Sequence, residues 1–187
     1  MQGGNVKRIR APFDEATARS LRAGDSVLIT GTLLAARDAA HKRLVECLDR
    51  GEPLPVDLAG AVVYYVGPSP AKPGHAVGSA GPTTAGRMDA YAPRLMAQGL
   101  KGMIGKGYRS PEVVEAMKRY GVPYLAAVGG AGALIARTVK KYAVLAYEDL
   151  GPEALAAMEV VDFPAVVVID CEGNDYYEAG QAPYRML

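Results

Sequence analysis

The sequence predicts an α/β domain built on a mixed sheet covered by helices, and three observations carry that prediction. Short apolar runs alternate with stretches of helical spacing along most of the chain, the arrangement that packs helices against a sheet. No internal repeat, low-complexity tract or coiled-coil heptad interrupts the alternation. A length of 187 residues at 50% hydrophobic and 22% charged suffices for one substantial core, so a single domain over 1–187 is expected, with 1–12 as an extended N-terminal arm.

Each element has a local reason. The arm carries Lys7, Arg8 and Arg10 without apolar periodicity. Asp14 can cap a short helix to about Leu21, ended by Ala23-Gly24. Val27 to Leu34 reads as a strand from the run Val27-Leu28-Ile29. Arg37 to Arg50 follows as a helix, with Ala40, Leu44, Val45 and Leu48 at helical spacing and Gly51 as its stop. Ala61 to Val66 is apolar almost throughout, as in a strand buried on both faces. The Pro- and Gly-rich stretch from Gly67 to Pro82 is a long loop. Thr84 to Gln98 has helical spacing, but Pro93 must kink that helix or restart it. Met103-Ile104 is a short strand, and Ser110-Pro111 opens a helix that Gly121 stops. Tyr124–Val128 and Tyr142–Ala146 are strands flanking a helix over Ala131–Val139, and Pro164–Asp170 is the clearest strand, closed by a turn at Glu172–Asp175.

Composition excludes several classes of function. Lys+Arg 21 against Asp+Glu 20 leaves a formal charge of +1, which argues against a strongly basic nucleic-acid binder or a polybasic membrane-surface protein. No apolar run reaches the roughly 18 residues of a spanning helix, and the first residues lack the apolar stretch of a signal peptide, so a cytoplasmic location is expected. Cys47 and Cys171 form neither a disulfide framework nor a CxxC pair. With only two histidines beside them, they fall short of the usual set of about four ligands for zinc or an iron–sulfur cluster. Metal chemistry would need ligands from elsewhere.

Three segments can carry chemistry. In Gly81-Pro82-Thr83-Thr84-Ala85-Gly86-Arg87-Met88-Asp89 a Gly-Pro turn delivers two hydroxyls to a helix start, where free N–H groups favour an anion, and Arg87 stands one turn on. An ordinary N-cap beside a solvated arginine would look the same. In Arg37-Asp38-Ala39-Ala40-His41-Lys42-Arg43 cations crowd the first turns of a helix, where the dipole prefers an anion, so Asp38 or a ligand must compensate. Arg37 and His41, four apart, share a face, and a solvated basic face is the alternative. Gly105-Lys106-Gly107 presents a lysine between small neighbours, as anion-binding loops require, or simply a turn with an exposed lysine. Gly129-Gly130-Ala131-Gly132 lacks the GxGxxG spacing and is a strand-to-helix turn.

In this order, the three segments resemble the β subunit of class I, iron–sulfur-dependent fumarate hydratases. Tyr65-Val66-Gly67-Pro68, Val128-Gly129-Gly130 and Val161-Asp162-Phe163-Pro164 add to a resemblance that runs from about Pro12 to Tyr177. It implies a swivelling β/β/α domain that acts as the C-terminal half of single-chain enzymes or as one component of two-chain ones. It implies a four-iron, four-sulfur cluster held by the α subunit and not by this chain, one iron acting as Lewis acid. It also implies reversible hydration of fumarate to (S)-malate in a heterotetramer or larger assembly with that α subunit. Arg37, Arg87 and Lys106 would bind the dicarboxylate, Thr83 would be the base at C3, and Asp38 and His41 would orient Arg37. An iron–sulfur L-tartrate dehydratase β subunit is the nearest alternative. A non-catalytic dicarboxylate-binding module is an alternative of another class.

Overall fold

The computed structural model describes residues 6–182. Residues 1–5 of the expected arm lie outside that range. The rest of it is an edge strand, β1 (Lys7–Ala11), parallel to β2 (Ser26–Ala35) from Lys7 opposite Val27 to Ala11 opposite Gly31. Its basic residues conceal it in the sequence because an edge strand keeps charge on its outer side. Lys7 pairs with Asp25 and Arg8 with Asp162.

Between β1 and β2, helix α1 (Glu15–Ser20) begins where expected: the Asp14 carboxylate accepts the Thr17 amide at 2.7 Å. β2 then lies parallel to β3 (Val62–Tyr64), β3 to β4 (Gly102–Gly105) and β4 to β5 (Tyr124–Ala126). The long strand β7 (Leu155–Ile169) runs antiparallel to both β5 and β2, which closes a mixed ring of β2, β3, β4, β5 and β7. β6 (Val139–Ala146) adds to the outer side of β7.

β7 begins at Leu155, well before the expected Pro164. Its first half, Leu-Ala-Ala-Met-Glu, has little intrinsic strand preference, and pairing with β6 and β2 decides its conformation. The register slips between Ile29 and Gly31, and Gly31 stands at φ 130°. A Cβ there would lie 2.1 Å from the Ala11 carbonyl oxygen, so only glycine lets β1 close against β2.

Side chains alternate between the sheet's two faces. One face buries Ile29, Tyr64, Ile104, Leu125 and Phe163 in a single cluster. The other is covered by α2 (Asp38–Asp49), α3 (Ala92–Met96) and α4 (Pro111–Tyr120), whose Leu44, Leu95 and Met117 pack with Val63, Tyr65, Met103 and Tyr124. β3 is buried on both faces, as its apolar run requires. The α/β class and the mixed sheet covered by helices therefore stand as expected. The stretch 84–98 restarts at its proline: Ala85–Met88 is a 3-10 turn, and Pro93 sits in the first turn of α3. Helices α5 (Gly132–Thr138) and α6 (Tyr176–Gln181) complete the order, the latter without an expected counterpart. Among the described residues no helix is long and apolar enough to cross a membrane.

Candidate functional site

Strands β2 to β5 are parallel, so their carboxyl ends share one edge of the sheet, the edge where open α/β sheets receive ligands. Arg37 follows β2, Gly67 follows β3, Lys106 follows β4 directly, and Gly129 follows β5. The third and fourth strand ends are further stitched by the Pro/Gly loop. Thr83 donates its amide to the Tyr65 carbonyl at 2.7 Å and accepts the Lys106 amide at 3.3 Å, and Ala85 donates to the Lys106 carbonyl at 2.8 Å. The loop itself is tied inward by the Tyr64 hydroxyl, which donates to the Ala80 carbonyl at 2.6 Å in the core. Thr83 and Lys106 are thus brought together by backbone pairing.

Arg37 and Arg87 meet through Asp38. Arg87 Nη2 donates to Asp38 Oδ2 at 2.8 Å, and Arg37 Nε stands 3.8 Å from Asp38 Oδ1. Arg37 Nη2 also lies 3.1 Å from Glu153, a partner absent from every sequence motif. Arg37 fits because Gly67 has no side chain: a Cβ there would stand 3.1 Å from Arg37 Cδ. The Arg87 side chain is 49% exposed and opens onto solvent, whereas that of Arg37 is 22% exposed with its Nε buried and unpartnered. Among the described residues the Lys106 ammonium has no carboxylate partner, and its Cδ would touch a side chain placed at Gly129.

The structure separates the remaining basic residues from this group. Arg43 is engaged in a two-pronged bond to Asp149, and Lys42 faces Glu46. His41 shares a face with Arg37 yet is completely buried, so it presents nothing to a ligand. Its Nδ1 donates to the Arg37 carbonyl oxygen at 2.8 Å and its ring meets Tyr65 edge-on at 5.3 Å. Burial, assisted by the charge of Arg109, lowers its pKa to about 4, so it is neutral at pH 7. Any hold on Arg37 therefore passes through backbone.

Two expectations need correction. Within 84–89 the only helical stretch is the four-residue 3-10 turn Ala85–Met88, too short to bring a helix dipole to bear on an anion, so attraction there rests on side chains. Thr84 occupies the cap position without a side-chain cap bond, so neither threonine serves as the ordinary N-cap.

The fumarase C-terminus family model matches residues 4–180. The chain belongs to the fumarase C-terminus family. Fumarate hydratase 2 of Leishmania major is 44% identical over 156 residues, 82% of this chain and 28% of that protein. The aerobic class I fumarate hydratase of Salmonella typhimurium is 43% identical over 82% of this chain and 27% of its own length. A putative L(+)-tartrate dehydratase subunit beta of Methanocaldococcus jannaschii is 38% identical over 86% of this chain and 85% of its own. The chain thus spans little more than a quarter of these fumarate hydratases and most of the tartrate dehydratase subunit.

The donor set of this fumarase C-terminus chain does not suit an iron–sulfur cluster. Cys47 Sγ lies among the Glu52 and Pro53 carbonyls at 3.6 and 3.2 Å, Cys171 Sγ faces the Ala18 carbonyl, and burial raises the Cys171 thiol to about 11. Both thiols are buried, and that of Cys171 is held in its protonated, unreactive form. Among the described residues no three His, Cys, Asp or Glu side chains converge on a point that could hold a metal.

Sequence reasoning missed Arg109, whose side chain is 0% exposed, and Glu153. Both meet their partners across long sequence separations, which leave no periodic trace. The one available signal is Asp89, the acidic end of the 81–89 motif, which finds its partner outside that motif.

Proposed function

We propose that this chain is the β component of a two-component fumarate hydratase, working in the cytoplasm with an α subunit that carries the four-iron cluster. The observation that carries this reading is the placement of two pairs, Arg37 with Arg87 and Thr83 with Lys106, along one strand edge, in a chain of the fumarase C-terminus family. A dicarboxylate brings two negative charges, and loss of its C3 proton concentrates more charge on one carboxylate. Fixed cations at the strand ends stabilise that development, each charge-assisted bond contributing about 1.5–3 kcal/mol. Arg37 and Arg87 bind carboxylates, Lys106 supplies a mobile point charge, and Thr83 takes the proton. A threonine hydroxyl is a weak base, so Thr83 depends on those cations to lower its pKa. Asp38 occupies Arg87 until a substrate carboxylate replaces it.

L-tartrate dehydration is the second reading, favoured by the relative from Methanocaldococcus jannaschii that matches this chain in length. The deciding experiment is anaerobic assembly with a cysteine-bearing α subunit, followed by assay on fumarate, (S)-malate and both tartrates. Turnover of tartrate alone replaces the first reading with the second. Tight dicarboxylate binding by this chain alone, with no partner and no turnover, replaces both with a binding module. Within an active complex, Arg87→Ala is expected to lower kcat/KM about 10- to 100-fold with assembly intact. Unchanged kcat and KM would remove Arg87 from the site.

A further inference from the structure

We propose that Arg109 is a positioning residue, holding the Arg87-bearing turn in place for a ligand through its bond to Asp89. Arg109 itself touches no ligand. Its Nε donates to Asp89 Oδ1 at 2.8 Å, while Asp89 Oδ2 accepts the Ser110 amide at 2.7 Å. Both oxygens of Asp89 are therefore fastened to consecutive residues at the start of α4, and Asp89 directly follows the 3-10 turn that presents Arg87. The Arg109 guanidinium is itself immobilised. Its Nη1 donates to the Tyr65 hydroxyl at 3.2 Å, and its carbon lies 5.4 Å from the Tyr65 ring centre and 5.1 Å from that of Tyr124.

The cost of this arrangement is the argument for its purpose. An apolar side chain of similar volume would fill the same space without burying a charge, and such replacements are often neutral or stabilising. Arg109 Nη2 is buried with no hydrogen-bond partner, a further penalty. What the guanidinium provides and an apolar group does not is a rigid, directional hold on a carboxylate. The carboxylate it holds lies two residues from Arg87. Tyr65 extends the same support to the other arginine, because the ring that receives Arg109 also receives His41, which bonds the Arg37 carbonyl. A buried line of Arg109, Tyr65 and His41 thus underlies both arginines, of which Arg87 is half exposed and Arg37 mostly covered.

The proposal rests on the reading of Arg87 as a dicarboxylate ligand, and its test separates the two. In the assembled complex, kcat/KM is measured for the unchanged chain, Arg109→Met, Arg87→Ala and the double variant. Support is a loss of about 10- to 100-fold from Arg109→Met alone, carried mainly in KM, and less than about twofold when Arg87 is already alanine. An equal loss in both backgrounds, or none in either, overturns it, since a merely structural role is indifferent to Arg87. If Arg109→Met does not assemble, Arg109→Lys replaces it, keeping the charge but losing the fork that spans Asp89 and Tyr65. If the unchanged complex turns over neither fumarate nor tartrate, the functional reading fails, and amide exchange in the full chain decides this one. Faster exchange at Asp89 and Ser110 in Arg109→Lys, with the β2 and β7 amides unchanged, supports the proposal. Unchanged or uniformly faster exchange overturns it.

Discussion

Two ion pairs a few residues apart answer to opposite requirements. Arg109–Asp89 is dry: the arginine side chain is 0% exposed and the aspartate 16%. Arg87–Asp38 has a similar contact, 2.8 Å, but the arginine is 49% exposed and the aspartate 29%. In the first pair every nearby polar group holds the guanidinium where it is. In the second, water competes with the carboxylate, and the pair exchanges at little cost. The cation proposed to meet a ligand is kept in weak company, and the cation behind it is locked. The contrast explains how a half-exposed arginine is nonetheless held in order.

The largest effect expected from breaking this contrast is at the dry pair. Asp89→Asn preserves shape but leaves Arg109 charged and without its counter-ion in a buried place. Loss of one partner from such a pair costs about 3–5 kcal/mol. Urea unfolding of the chain, compared at pH 7, should show that loss as a lower midpoint with an unchanged slope. A change under about 1 kcal/mol would mean that the pair is as wet as its neighbour.

His41 sharpens the same comparison from the side of Arg37. Burial and the nearby Arg109 charge lower its pKa from 6.5 to about 4, against the opposing bond to the Arg37 carbonyl. Between those values the unfolded chain binds a proton that the folded chain refuses, so stability falls as pH falls through that window. The contribution is complete above about pH 6.5 and diminishes by on the order of 3 kcal/mol by pH 4. Asp170 acts in a separate, lower window. Burial opposes its charge, but bonds from Asn174, Ala23 and Glu172 prevail and hold its pKa below 3.8. Urea midpoints measured from pH 7 to pH 4 should therefore decline in the unchanged chain and decline much less in His41→Asn. Parallel curves would show that His41 is not the titrating group.

The fold was legible where it is written locally. Asp14 and Ser110 cap the helices they precede, Gly121 ends α4 at φ 64°, and the apolar run of β3 is buried on both faces. What escaped depends on partners distant in sequence. Lys7–Ala11 becomes a strand only because β2 lies beside it, and Leu155–Phe163 only because β2 and β6 do. The site divides in the same way. Thr83, Arg87 and Lys106 stand in short motifs whose residue types are compatible with an anion site. Arg109 and Glu153 enter through side-chain contacts to Asp89 and Arg37 that no spacing encodes. The candidate ligand residues leave a compact pattern, and the residues that support them leave one end of a pair.

The smallest effect, and the closest control, is at the wet pair. Asp38→Asn removes a charge from Arg87 and from the first turn of α2, where an acidic residue also favours the helix dipole. An exposed pair contributes about 0–1 kcal/mol and the dipole about 0.3–1 kcal/mol. The substitution should therefore cost about 1 kcal/mol at low salt, less as ionic strength rises and the charges are screened. Asp89→Asn is the same chemical change in a dry setting, so its cost should be several times greater and nearly independent of salt. Paired urea titrations of both variants at about 0.01 M and 1 M salt test this directly. Equal costs, or equal salt dependence, would erase the distinction between the dry pair and the wet one.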